Sequence, residues 1–286
     1  MNKTLRIIIF VIAALIFCIS IGILGWYFLN RHKEEQKIDE LKDLITTEET
    51  KDTNNSTEEL SSEEASNGLN YYLIDDVIVQ EKYKDIYLRN SDFIGWVKID
   101  DTKVDYPVVY TPEDEDFYLR KNFDGDYSIA GTIFVAGGTD LYRPSENIIL
   151  YGHQMTDNSM FGSIDKYEDE DYYKEHKYIK FNHLQEDATY EVIAAYKTVS
   201  HNMNEYDGFD VYGYINLDKD KFEYFVSESK KATKYNTSDV KYGDNLIMLS
   251  TCSYHTANGR FVVLAKKVNS VKVDLTKDPL AVIKTK

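Results

Sequence analysis

Hydrophobic and polar positions divide the chain into stretches of different texture. Residues 7–29 form an apolar run of 23 positions without a charge, long enough to cross a bilayer as a helix. Trp26, Tyr27 and Phe28 close the run, where interfacial aromatics are expected. A cleaved leader would have a shorter apolar region followed by small residues, and Ala13 and Ala14 come too early for that. Lys3, Arg6 and the terminal amine flank one side, Arg31 and Lys33 the other, so the count favours an inside N-terminus. In residues 34–70 the positions Ile38, Leu41, Leu44 and Ile45 repeat at helical spacing and predict a short helix over 34–45. Beyond Thr46 the periodicity is lost, and the stretch reads as a disordered, self-repelling tether.

From residue 71 the pattern becomes that of a folded domain. Ile74, Val77, Ile78, Ile86 and Tyr87 predict an opening helix that ends near Asn90. Short apolar and β-branched runs then predict strands at 95–99, 103–109, 131–135, 147–151, 178–182, 189–199, 245–251 and 260–267. Helical patterns interrupt them at 160–173 and 218–232, the second with Phe222, Phe225, Val226 and Ser229 on one face. About eight strands with few helices give a mainly β fold, an antiparallel barrel or sandwich. The expected division is a cytoplasmic tail and membrane helix over 1–33, a linker over 34–70, a catalytic domain over 71–273 and a C-terminal tail over 274–286.

Composition narrows the function. Hydrophobic residues make up 43% of the chain, enough for a real core, and the net charge of −16 argues against nucleic acid as a partner. Much of that charge is local, because residues 34–70 hold twelve acids against three lysines. Two cysteines, one of them Cys18 inside the apolar run, exclude a disulfide framework. No phosphate loop or dinucleotide fingerprint is present, and Cys252-x-x-His255 lacks the second ligand pair of a zinc site, so no cofactor and no metal are expected.

The candidate chemistry sits in residues 246–267, LIMLSTCSYHTANGRFVVLAKK. Two apolar strands flank a polar, Gly-containing loop, which is hairpin chemistry. With the apex near Thr256, Cys252 and Arg260 are opposed on strands ~4.8 Å apart and point to the same face. A lone thiol beside a fixed positive charge is a candidate thiolate nucleophile; the bland alternative is a small buried hydrophobe before a turn. His153 follows the strand NIILY and a glycine, where functional loops begin. Gly152 and Gly259 read as residues that free the backbone beside His153 and Arg260. Ser250 shares the face of Cys252 and, with Thr251 and Ser253, is expected at the substrate. His32, His176, His183 and His201 have no Cys or His at ligand spacing.

In this order the residues resemble the sortases, specifically class B. The family's His, Cys and Arg fall at His153, Cys252 and Arg260. Its Thr-Leu-x-Thr-Cys motif is matched by Leu249-Ser250-Thr251-Cys252, with Met248 in place of the first Thr. NSDFIGWV at 90–97, VDYPVV at 104–109, GTIF at 131–134 and the helix before the catalytic strand are similar to class B as well. After GTIF, AGGTD at 136–140 replaces the expected Asp-x-Arg-Asn-like turn and leaves the roles of Asp140 and Arg143 open. The resemblance implies a sortase-like closed β-barrel. It also implies a cysteine transpeptidase that cleaves a C-terminal sorting signal at Thr–Gly or a related bond through a thioacyl-enzyme. The acyl group would pass to a peptidoglycan amine. The implied partners are surface proteins bearing sorting signals. The implied location is a Gram-positive cell membrane, single-pass, with the catalytic domain outside. The alternatives are a membrane-anchored cysteine peptidase that only hydrolyses, a pilin-polymerising sortase and a non-enzymatic wall-binding domain. A papain-like enzyme would place Cys before His.

Overall fold

The computed structural model describes residues 3–53, 68–140, 147–200 and 211–285. Arg143, His201 and the tether residues 54–67 lie outside them. The chain forms two compact units, Met1–Asp43 and Leu44–Lys286. The apolar run belongs to helix α1, Lys3–Thr53, about 75 Å long at 1.5 Å per residue. Among the described residues it is the one helix long and apolar enough to cross a membrane. It continues through 46–53, past the short helix read from periodicity. Once a helix is nucleated, each added residue gains a hydrogen bond without a new nucleation cost.

The second unit opens differently from the predicted helix. Strands β1 (Tyr71–Ile74) and β2 (Val77–Gln80) form a hairpin. Only after the 3₁₀ turn Glu81–Tyr83 does helix α2 (Lys84–Arg89) follow. Asp75 and Asp76 have φ of 45° and 69°, the left-handed pair that a two-residue hairpin turn requires and that Asp tolerates. The apolar spacing of 74, 77 and 78 fits either element, and the turn decides between them.

The eight predicted strands all form. They are β3 (Phe93–Lys98), β4 (Asp105–Val109), β5 (Ile133–Val135), β6 (Asn147–Tyr151), β7 (Tyr178–His183), β8 (Glu186–Val199), β9 (Leu246–Cys252) and β10 (Gly259–Lys272). They close a barrel in the order β10-β8-β7-β3-β4-β5-β6-β9, with β9 paired back to β10. All neighbours are antiparallel except β4–β5 and β6–β9. The 160–173 patch resolves into a 3₁₀ turn, Ile164–Glu168, and the short helix α3 (Glu170–Glu175). Helix α4 (Lys219–Ala232) begins where Asp218 accepts the Lys221 amide, the N-cap device. The segment read as a C-terminal tail contributes β11 (Val282–Ile283), which lies parallel to β1.

Side chains alternate along the central strands and fill two cores. Val97, Val108, Ile133, Leu150, Leu249 and Val263 face the barrel interior. Ile149, Met248, Val262 and Leu264 face outward, under Leu217, Phe222 and Phe225. Burial on both faces explains why β6, β9 and β10 read as continuous apolar runs.

Where β8 and β10 pair, Glu186 is buried and meets Lys267 at 2.7 Å and His183 at 3.2 Å. Burial alone would raise its pKa. Bonds from His183, Lys267 and Ser270 outweigh that and hold it well below the usual carboxylate range. A depressed carboxylate stabilises the fold above its unfolded pKa of about 4.3, and that contribution is lost as pH falls. Glu186→Gln is therefore expected to cost about 1–3 kcal/mol at pH 7 and measurably less at pH 3, which lies below the unfolded pKa but still above the depressed folded one. Urea unfolding at both pH values checks this; equal losses at the two would refute it.

Candidate active site

The alternation of β9 sets the site. Ile247 and Leu249 point inward, while Leu246 and Met248 join the outer core. Continuing the alternation puts Ser250 and Cys252 on the outer face. On β10, Val262 and Leu264 are the outward residues, so Arg260 shares that face. The hairpin register pairs Arg260 with Cys252, as the loop symmetry predicted. Met248 is fully buried, an environment that suits its apolar side chain.

The third member arrives from the other side of β9. Strand β6 runs parallel to β9 with Tyr151 opposite Ser250. The Gly152 amide donates to the Ser250 carbonyl at 3.1 Å, and the Thr251 hydroxyl donates to the Gly152 carbonyl at 2.8 Å. Extending this register by two residues sets His153 abreast of Cys252. The half-buried thiol thus has an imidazole on one neighbouring strand line and a guanidinium on the other. All three line one groove of about 540 Å³.

The imidazole is oriented by main chain. His153 Nε2 lies 2.8 Å from the Leu119 carbonyl. A carbonyl only accepts, so Nε2 carries the proton and Nδ1 keeps its lone pair. Burial pushes His153 below its ordinary pKa; the Leu119 bond works the other way, and the Arg120 charge lowers it further. Arg260 is half-buried and gives one N–H to the Gly259 carbonyl at 3.0 Å, which leaves other donors of its fork unused there.

The two glycines act through space rather than backbone freedom. A Cβ on Gly152 would stand 2.5 Å from Ile133 and 2.6 Å from Phe161, and one on Gly259 would stand 2.2 Å from the Ser253 carbonyl. Of the serine and threonine candidates, Ser250 and Thr251 line the groove. Ser250 is hydrogen-bonded to Tyr212 at 2.9 Å. Ser253 is not among the lining residues; its hydroxyl pairs with His255 Nδ1 at 2.9 Å. Asp140 lies where its charge, with that of Glu115, raises the pKa of Tyr110 after burial has done so. Among the described residues no group of three or more His, Cys, Asp or Glu gathers to hold a metal ion.

Sequence reasoning missed part of the groove. Phe134, Tyr151 and Tyr212 form an aromatic wall with ring centroids 5.3 and 5.8 Å apart, and Glu115, Asp116 and Leu119 form another side. Leu119 acts through its carbonyl, which leaves no side-chain signature. Tyr212 is one of 24 tyrosines, with no periodicity to single it out.

The family model described as the sortase domain matches residues 97–268, from β3 through most of β10. The chain belongs to the sortase family. Two relatives place it in class B. Sortase B of Staphylococcus aureus is 30% identical over 192 residues, covering 66% of this chain and 75% of that one. Sortase B of Listeria monocytogenes is 32% identical over 197 residues, with the same coverage. The crystal structure of sortase B from Bacillus anthracis superposes with a TM-score of 0.64 at 28% identity, covering 86% of this chain and 99% of that chain. This sortase is accordingly a cysteine transpeptidase on the closed barrel of its class.

Proposed function

We propose that this sortase cleaves a C-terminal sorting signal of secreted proteins through a thioester on Cys252 and transfers the acyl group to a peptidoglycan amine. The reading rests on one observation: Cys252, His153 and Arg260, far apart in the chain, line a single groove. In this reading His153 Nδ1 takes the thiol proton, and sulfur attacks the carbonyl carbon of the scissile bond. Arg260 N–H groups stabilise the oxyanion that forms. As the C–N bond breaks, His153 returns the proton to the leaving amine. The acceptor amine then attacks the thioester, gives its proton to His153 and releases the Cys252 thiolate. Ser250 and Thr251 contact the peptide, and Ser253 supports the turn behind them.

The apolar part of α1 is proposed as a single-pass anchor within residues 1–33, with the N-terminus inside. Residues 34–70 would act as a spacer, and the catalytic domain, from residue 71, would face the wall of a Gram-positive cell. The test is incubation with a library of Asn-Pro-x-Thr and Pro-x-Thr-Gly peptides, followed by mass spectrometry of the enzyme. A peptide-sized adduct on Cys252 is expected, and an added amine should convert hydrolysis product into transfer product. No adduct with any such peptide would overturn the reading.

Arg260 offers a more selective check. A planar fork holds two acceptors at fixed angles, whereas Lys presents one mobile charge. Arg260→Lys is expected to lose on the order of 10² in kcat/KM, comparable to removal of one oxyanion donor. Kinetics near wild type would show that charge alone suffices.

A further inference from the structure

The 3₁₀ turn Phe117–Arg120 is a ridge between two cavities. On one side is the groove with Cys252. On the other is a depression of about 270 Å³ lined by Asp116, Phe117, Leu119, Arg120, Lys121 and Tyr127. Asp116 and Leu119 border both, and the Leu119 carbonyl is the group that holds His153. The second cavity therefore adjoins the imidazole rather than lying elsewhere on the barrel.

The two sides differ in charge. The groove lining holds two acids, Glu115 and Asp116, besides Arg260, whereas the depression sets Arg120 and Lys121 against Asp116 alone. Arg120 gives one N–H to the Ile129 carbonyl at 2.6 Å, one of five donors on its guanidinium. Lys121 Nζ stands 3.4 Å from the centre of the Phe117 ring, a contact that leaves ammonium N–H groups available. Tyr127 is 70% exposed at the rim. The cavity thus combines a guanidinium fork, an ammonium and two aromatic faces.

We infer that this depression is an acceptor subsite: it binds the free carboxylate of a short peptide whose amine enters the groove at His153. The inference rests on the proposed transfer reaction. An acceptor must bring its amine to the imidazole; that amine arrives as an ammonium, favoured by Glu115 and Asp116, loses one proton to solvent to become the nucleophile, and gives the second to His153 as it attacks. A carboxylate one to three residues further along reaches about 3.5–10 Å beyond it, across the ridge to Arg120 and Lys121. Planar bidentate pairing with carboxylate is the geometry a guanidinium serves best. Water competes for the same thioester and has no carboxylate, so occupancy of the subsite favours transfer over hydrolysis. The subsite adds no covalent step.

The test uses the full chain, the best acylating donor peptide from the library, and two acceptors that differ at one end, triglycine and triglycine amide. Acceptor KM is measured on the plateau of the pH profile, and the ratio of the two KM values is taken within each protein, so any effect of Arg120 on His153 cancels. The wild type is expected to have about a tenfold lower KM for triglycine, as two charge-assisted contacts would give. The Arg120→Gln/Lys121→Gln double variant is expected to bring the ratio close to one. A wild type that takes both acceptors alike, or a ratio that survives in the double variant, overturns the subsite while the Cys252 thioester still forms. Absence of the thioester itself overturns the transfer reaction and the subsite together.

Discussion

Cys252→Ala is expected to abolish thioester formation and lower peptide cleavage by about 10⁶-fold, the loss seen when an acyl-transfer nucleophile is removed from an intact site. The hydroxyls that precede it on β9 are engaged elsewhere: Ser250 is tied to Tyr212 and Thr251 to the Gly152 carbonyl. The fold should be retained. Cys252 ends β9, is only half-buried, and its pairing with Arg260 is a strand register that does not depend on the thiol. Loss of one sulfur atom there leaves a small void. The measurements are turnover of a cleavable peptide, mass spectrometry for the adduct, and thermal unfolding, with a midpoint within a few degrees of wild type. A Cys252→Ala protein that turns over within tenfold of wild type would remove Cys252 from the reaction.

His153→Ala is expected to lower kcat/KM by about 10³–10⁴, the upper range for loss of a proton-transfer group. Both acylation and resolution should slow, because the same Nδ1 lone pair serves both. The wild-type profile of kcat/KM against pH should be bell-shaped. Burial and Arg120 depress His153, so the acid limb should lie below the ordinary imidazole value of about 6.5. The sign can be tested independently. Arg120→Gln removes the like charge that disfavours the imidazolium, so the acid limb should move to higher pH. A His153→Ala enzyme that loses only peptide affinity, with unchanged turnover of bound substrate, would make His153 a binding residue.

These expectations draw unequally on sequence and structure. The hairpin pairing of Cys252 with Arg260 was legible because only seven loop and strand-end positions separate them, and a hairpin's symmetry fixes which residues oppose. The eight barrel strands were legible for a similar reason: apolar alternation and β-branched runs are local signals. The opening segment was misread because YYLIDDVIVQ satisfies helical and strand spacing equally. The deciding fact, two left-handed aspartates in succession, depends on the sheet that β1 forms with β2 and β11. Likewise, residues 46–53 and 274–285 carry too little apolar pattern to announce the α1 extension or β11.

The sequence by itself determined the membrane-length helix, the mainly β architecture, the family resemblance and which three side chains are proposed for acyl transfer. Only the tertiary structure decided how those side chains meet. The β6–β9 pair that brings His153 beside Cys252 joins segments 99 positions apart. Its parallel register is set by closure of the whole barrel, which no local propensity encodes. The groups that orient the imidazole and wall the groove depend on the same closure. The Leu119 carbonyl, the Tyr212 hydroxyl and the Arg120 charge act through position alone, and position is a property of the packed chain.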